Sequence, residues 1–204
     1  MTVSSPVVRR LWSIVASVVL VVVIVALQRF LVSDQDQLDP IATSGTADAA
    51  VATDDFTAEV AETGVATALE VAGTDGTTQE VEANGVWVVV WVRVTSEHTP
   101  IDTMYAELRM DDDTLYSERG WFTDSLGRSD FSPGITVYGA FVFEVPRDRL
   151  DRPALLLTNA SGLDRRLGAQ ADIDLGLTDP APSDAPIALL PPEVQMGDTA
   201  DASE

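Results

Sequence analysis

Cysteine and lysine are absent from this 204-residue chain, and histidine occurs once, as His98. Without cysteine there is no disulfide framework, thiol nucleophile, zinc–thiolate site or lipid-modifiable N-terminal thiol. A single histidine leaves no His-pair metal site and little scope for a Ser/His arrangement. Positive charge is scarce as well, with twelve Arg against 33 acids and a formal net charge of −21. The scarcity is uneven: Arg9, Arg10 and Arg29 fall in the first 32 residues, which hold no acid, whereas the rest sets nine Arg against all 33 acids and carries −24. A surface of that sign repels nucleic acid, so no nucleic-acid partner is expected.

What the chain does have is one long apolar run. From Leu11 to Leu27, LWSIVASVVLVVVIVAL, there is no charge, and Ser13 and Ser17 are its polar members. Extended to Val32 it reaches 22 residues, about 33 Å as a helix at 1.5 Å per residue, enough to cross a hydrocarbon core of roughly 30 Å. Val and Ile are mediocre helix formers in water, but a lone lipid-exposed span must satisfy its own backbone, which only a helix does. A transmembrane helix over residues 11–32 is therefore expected. Arg9 and Arg10 before it, against Arg29 near its far end, place residues 1–10 in the cytoplasm and everything after the span outside the cell. A cleavable secretory signal shares the basic start and apolar core. Its apolar core is usually shorter, however, and Ile24 at −3 to Ala26 spoils the small-residue cleavage pattern, while Ala47-Asp48-Ala49 lies too far downstream. An uncleaved anchor is the reading adopted.

Both flanks of the remaining chain lack a sustained apolar period. Residues 33–55, rich in Ser, Thr, Ala, Gly and Asp, have the composition of a flexible linker. Residues 178–204, with Pro180, Pro182, Pro186, Pro191 and Pro192 and no Arg, read as a disordered acidic tail. The apolar island Ile187–Pro192 within that tail is either a short docking motif or a segment lying across the domain, the second being the expectation.

Between the flanks, over 56–177, the period is two rather than 3.6. Ile135, Val137, Gly139, Phe141, Phe143 and Val145 share one face of a strand; Met104, Ala106, Leu108 and Met110 share another, and Ala171, Ile173, Leu175 and Leu177 a third. Phe56–Val60 is a fourth strand. Gly73–Gly76, Asn84-Gly85, Asp111–Asp113, Ser132–Gly134 and Pro146–Asp148 supply turns. The pattern predicts an all-β, antiparallel sandwich of about 120 residues. One strand departs from alternation: in Val86–Val94, Val88, Val90, Val92 and Val94 can face the core while Trp87, Val89 and Trp91 face outward. An outward Trp needs a cover. Either another strand, a loop or the tail packs there, or Trp87 and Trp91 are partner-binding residues, aromatics being enriched at interface hot spots.

The order of Phe56-Thr57-Ala58-Glu59-Val60, the Gly-led strand GVWVVVWVRV at 85–94, the Ser132-Pro133-Gly134 turn and the strand GAFVFEVP at 139–146 resembles the DUF4352 family of secreted or membrane-anchored bacterial proteins. That resemblance covers about 60–177. It implies a telokin-like, immunoglobulin-like β-sandwich outside the cytoplasm, and it brings no catalytic motif and no common ligand. Two departures are the acidic tail and a span where many relatives carry a lipoprotein cysteine. The Arg-only, Asp-rich and Ala/Val-rich usage is similar to that of high-GC actinobacteria, and an acidic, lysine-free surface would also suit a halophile.

Candidate chemistry is thin. Asp111-Asp112-Asp113 does not follow the spacing of a calcium loop and reads as a solvated hairpin tip. His98 sits in Glu97-His98-Thr99-Pro100, a turn, and a pair of hydrolytic carboxylates would need a cleft that short turns do not promise. No catalytic residue, metal site or cofactor is expected. The function expected is a non-enzymatic binding or assembly module of the bacterial cell envelope, held in the cell membrane by one span and meeting an envelope protein or another membrane protein. The alternatives are an accessory subunit docking through its span and, third, an envelope hydrolase.

Overall fold

Period-two alternation is realised in two sheets whose inner faces share one core. In the computed structural model the chain divides into two units, 1–39 and 40–204, and the residues described are 15–23, 40–73, 76–120, 122, 124–159 and 168–195. In the first unit, residues 15–23 form a helix. Its Val15, Val18, Val19, Leu20, Val21, Val22 and Val23 are all exposed. Among the described residues no helix is long and apolar enough to cross a membrane; the remainder of the expected span over 11–32 lies outside them.

In the second unit, one sheet has the order β1 (Ile41–Thr46), β9 (Ala169–Asp174), β8 (Ala154–Asn159), β5 (Met104–Arg109) and β6 (Leu115–Ser117). The other has the order β10 (Ile187–Ala188), β3 (Phe56–Ala72), β4 (Thr78–Ser96), β7 (Thr136–Val145) and β11 (Glu193–Gln195), with β2 (Val51–Ala52) also on β3. Most pairings are antiparallel, as expected, but β1 lies parallel to β9 and β10 parallel to β3. The β4–β7 register sets Val88 against Phe143, Val90 against Phe141 and Val94 against Val137. These side chains meet Met104, Ala106, Leu108, Leu155, Leu157, Ala171 and Ile173 of the opposite sheet in one buried cluster. The fold is an all-β sandwich, and the inward faces expected of β4, β5, β7 and β9 are the observed ones. Ile135 is the exception: it precedes β7 and stays exposed.

Three expectations need correcting. The flexible linker over 33–55 is structured from Ile41 onward. β1 pairs with β9 along its whole length, Ile41 N–H donates to the Gly168 carbonyl at 2.8 Å, and Val51 is buried. The side chains of β1 are almost all exposed, so the strand is held by its backbone and carries no apolar period. The tail over 178–204 is likewise ordered from 178 to 195, contributing β10 and β11. The expected Asn84-Gly85 turn lies inside β4. There the β3–β4 register slips between Ala66 and Ala68, and a Cβ on Gly85 would stand 2.3 Å from the Val145 carbonyl oxygen. The glycine admits a neighbouring backbone rather than a left-handed turn.

Candidate binding surface

The outer face of the β3–β4–β7 sheet carries the two tryptophans singled out in the sequence. Because β4 alternates, Trp87, Val89 and Trp91 do point away from the sandwich core, opposite Glu144, Val142 and Ala140 of β7. That face is not open to water. Beyond the register slip the distal β3–β4 hairpin bends over it, so that Leu69 is fully buried and the Trp87 indole N–H donates to the Val81 carbonyl at 2.9 Å. Phe122 meets Trp87 edge to face, with ring centroids 5.5 Å apart and planes at 76°. Leu189 of the tail closes the far side, and Leu69, Trp87, Val89, Phe122, Ala140, Val142 and Leu189 form a second buried cluster separate from the sandwich core.

Trp87 is 1% exposed. The partner-binding assignment of Trp87 is therefore corrected: its cover is the chain's own hairpin, loop and tail. Trp91 is half-buried at the edge of the same cluster. A Cβ on Gly64 of β3 would lie 2.8 Å from Ile187 Cδ1 and 3.3 Å from Trp91 Cζ3, so the missing side chain is what lets Ile187 settle beside Trp91. Sequence reasoning found these aromatics but missed Phe122 and the hairpin bend, which no alternation signals.

The loop that brings Phe122 also holds the most perturbed carboxyl described. Glu118 leaves β6 and accepts a hydrogen bond from the Ser125 hydroxyl, while Gly127 packs so close that a Cβ there would stand 2.4 Å from Glu118 Oε2. Burial pushes its pKa from the ordinary 4.5 up to about 7, against the opposing pull of Ser125, Arg128 and the Gly127 amide. An acid whose folded pKa lies above its unfolded one stabilises the fold below the lower value and loses that contribution as pH rises through the higher. Glu118→Gln should therefore leave stability unchanged near pH 4, gain steadily between pH 4.5 and 7, and level off at about 3 kcal/mol above wild type. Urea midpoints across pH check this, and a pH-independent difference would rule it out.

Several other charged groups are paired across strands and loops. Arg109 grips Asp172 with both terminal nitrogens, at 2.9 and 3.0 Å, and Arg152 meets Asp111. These four line a cleft of about 460 Å³ beside Ser44 and Gly45 of β1. Asp112 takes Arg149 at 3.2 Å, and its pKa is held below the usual range chiefly by its hydrogen bonds from Thr114. The Asp111–Asp113 hairpin tip is thus tied to the Arg147–Arg152 turn. Glu144 is lowered mainly by the Asn84 amide at 2.8 Å, with Arg119 adding an ion pair at 2.7 Å. Partly exposed pairs of this kind contribute little each. His98 is exposed in its turn. Among the described residues no three His, Cys, Asp or Glu are grouped to hold a metal ion.

No protein-family model matches this chain, and no curated protein does. Solved structures do. An uncharacterized β-sandwich protein from Clostridium difficile 630 is 11% identical, with 67% of this chain and 95% of that one covered and a TM-score of 0.42. The secreted protein MPT63 from Mycobacterium tuberculosis is 14% identical, covering 66% and 98% at a TM-score of 0.43. The yjhA protein from Bacillus subtilis is 12% identical, covering 63% and 99% at 0.42.

Proposed function

We propose that this chain is a membrane-anchored, extracytoplasmic binding or assembly module of the bacterial cell envelope, without catalysis. The observation that carries the reading is an exposed helix at 15–23, apolar except for Ser17, preceded in sequence by Arg9-Arg10 and followed by an acid-rich chain that holds the β-sandwich. Apolar side chains exposed over two turns and more need a lipid or protein environment, and the basic residues on one flank orient such a helix with that flank inside. In this reading the DUF4352-like, immunoglobulin-like fold is displayed outside the cell. In sequence, β1 begins at Ile41, with residues 33–40 between it and the end of the expected span at Val32.

Topology tests the proposal. Protease added to intact cells should remove the sandwich, and the mature N-terminus should lie at or near Met1. A mature protein beginning after Ala26 or Ala49, or a sandwich protected until the cells are broken, would overturn it.

A further inference from the structure

The tail closes the aromatic face as a strap clipped to both edges of one sheet. Ser183 N–H donates to the Val65 carbonyl at 2.8 Å and its own carbonyl accepts from Thr67 N–H at 3.2 Å, after which Ile187 and Ala188 run parallel to Leu69 and Glu70. Leu189 N–H bonds the Glu70 carbonyl at 2.8 Å and its side chain sinks into the Trp87 cluster. Residues 190–192 then cross the face, and Glu193, Val194 and Gln195 pair antiparallel with Tyr138, Val137 and Thr136 on the opposite edge. Gln195 also accepts from Arg93 Nε at 3.1 Å. Every one of these contacts lies within 183–195.

The hinge leading to the strap holds one residue in an unfavourable shape. After Leu175, the last buried residue of that run, and with Leu177 still partly buried against the core, Gly176 turns at φ 65°, which glycine adopts freely, whereas Asp179 has φ 43°. Asp179 immediately precedes Pro180, whose ring drives the residue before it toward extended φ, and Pro182 and Pro186 also favour extension. The closed hinge stores backbone strain that straightening releases. Straightened, residues 176–182 span about 23 Å at 3.3 Å per residue, far enough to carry the strap off its own sheet.

From this geometry we infer that the strap is exchangeable and that its occupant in an open chain is the strap of a second copy, giving a tail-swapped dimer. The groove is shaped around Ile187, Leu189 and the β11 register, and the peptide carrying those residues in that order is the one every other copy supplies. Exchange remakes each strap contact in trans, so the balance is between hinge relief and the entropy of association. Confinement of copies at high local concentration lowers the second term.

The test uses the full chain, which has no native cysteine. Glu193→Cys is placed in one preparation and Tyr138→Cys in another, the two positions being register partners across β11 and β7. The preparations are mixed at high concentration, oxidised and separated without reductant. Mixed covalent dimers are expected at about fivefold or more over either self-linked dimer, because only a strap seated on the other copy aligns the pair. Asp179→Gly, which relaxes the closed hinge, should cut their yield severalfold, and Leu189→Asp in the strap-bearing partner should abolish them. Both changes in one chain give the reference for internal closure. If neither this pair nor the Gln195/Thr136 pair links copies above the self-linked level, the strap serves its own chain alone and the inference fails. Failure of internal closure as well would show that the strap does not occupy β7, which also overturns it.

Discussion

Trp87→Ala is expected to destabilise the sandwich unit by about 3–5 kcal/mol and to lower its melting temperature by roughly 10 °C or more. The indole is 1% exposed, packs edge to face on Phe122 and donates to the Val81 carbonyl, so truncation leaves a cavity between the sheet and its cover and removes the bond that ties down the bent hairpin. Trp87→Phe restores much of the volume without the N–H and should recover most of the loss. Trp91→Ala, at a half-buried position, should cost distinctly less. Thermal melts of the three variants followed by near-ultraviolet circular dichroism separate a packing role from a recognition role. A Trp87 that contacted a partner could be truncated with folding almost untouched, and that result would reinstate it as an interface residue.

Phe143→Ala should be as damaging from the other side of the same sheet. Phe143 is fully buried, stands against Val88 across the β4–β7 ladder and belongs to the core shared by both sheets. Losing about 3–5 kcal/mol there is a large part of the 5–15 kcal/mol that holds a domain of this size together. Val194→Ala on β11, where the side chain is 63% exposed, is the matched control and should fall within about 0.5 kcal/mol of wild type. Guanidinium midpoints decide between them. Equal, small effects at both positions would contradict the assignment of the β7 inner face to the core.

The two clusters differ in how legible they were. The β4 valines and the β7 phenylalanines advertise themselves because a half-buried strand must place apolar groups every second residue, whatever it packs against. The apolar outward side of Val86–Val94 was legible too, as a need for a cover, since no alternation leaves two indoles in water without cause. A strand, a loop or the tail was the expected cover, but which residues supply it was not legible. Leu69, Phe122 and Leu189 come from a hairpin, a loop and a tail far apart in sequence; the hairpin adds Val71, Val81 and Ala83 at period two and the tail adds Ile187, runs too short to say which face they would cover. Glu118 is similar: nothing around it in the sequence distinguishes it from the other acids, and its raised pKa arises from burial as the loop folds back over it, with the hydrogen bonds from Ser125 and Gly127 offsetting part of that rise.

By itself the sequence determined the class of the fold, the faces of its main strands, the acid excess after residue 33 and the presence of one long apolar run, because these depend on composition and on side-chain order along a single strand. Tertiary structure alone decided that residues 41–52 are part of the sandwich rather than linker, and which strand edges hold 183–195, whose apolar island Ile187–Pro192 the sequence had already offered as a segment lying across the domain. Those segments are held by backbone hydrogen bonds to strand edges, at β9, β3 and β7, and a peptide N–H or carbonyl is the same in every residue. Side chains that stay exposed cannot record such pairing, so it becomes visible only when the edge that supplies the partner is already in place.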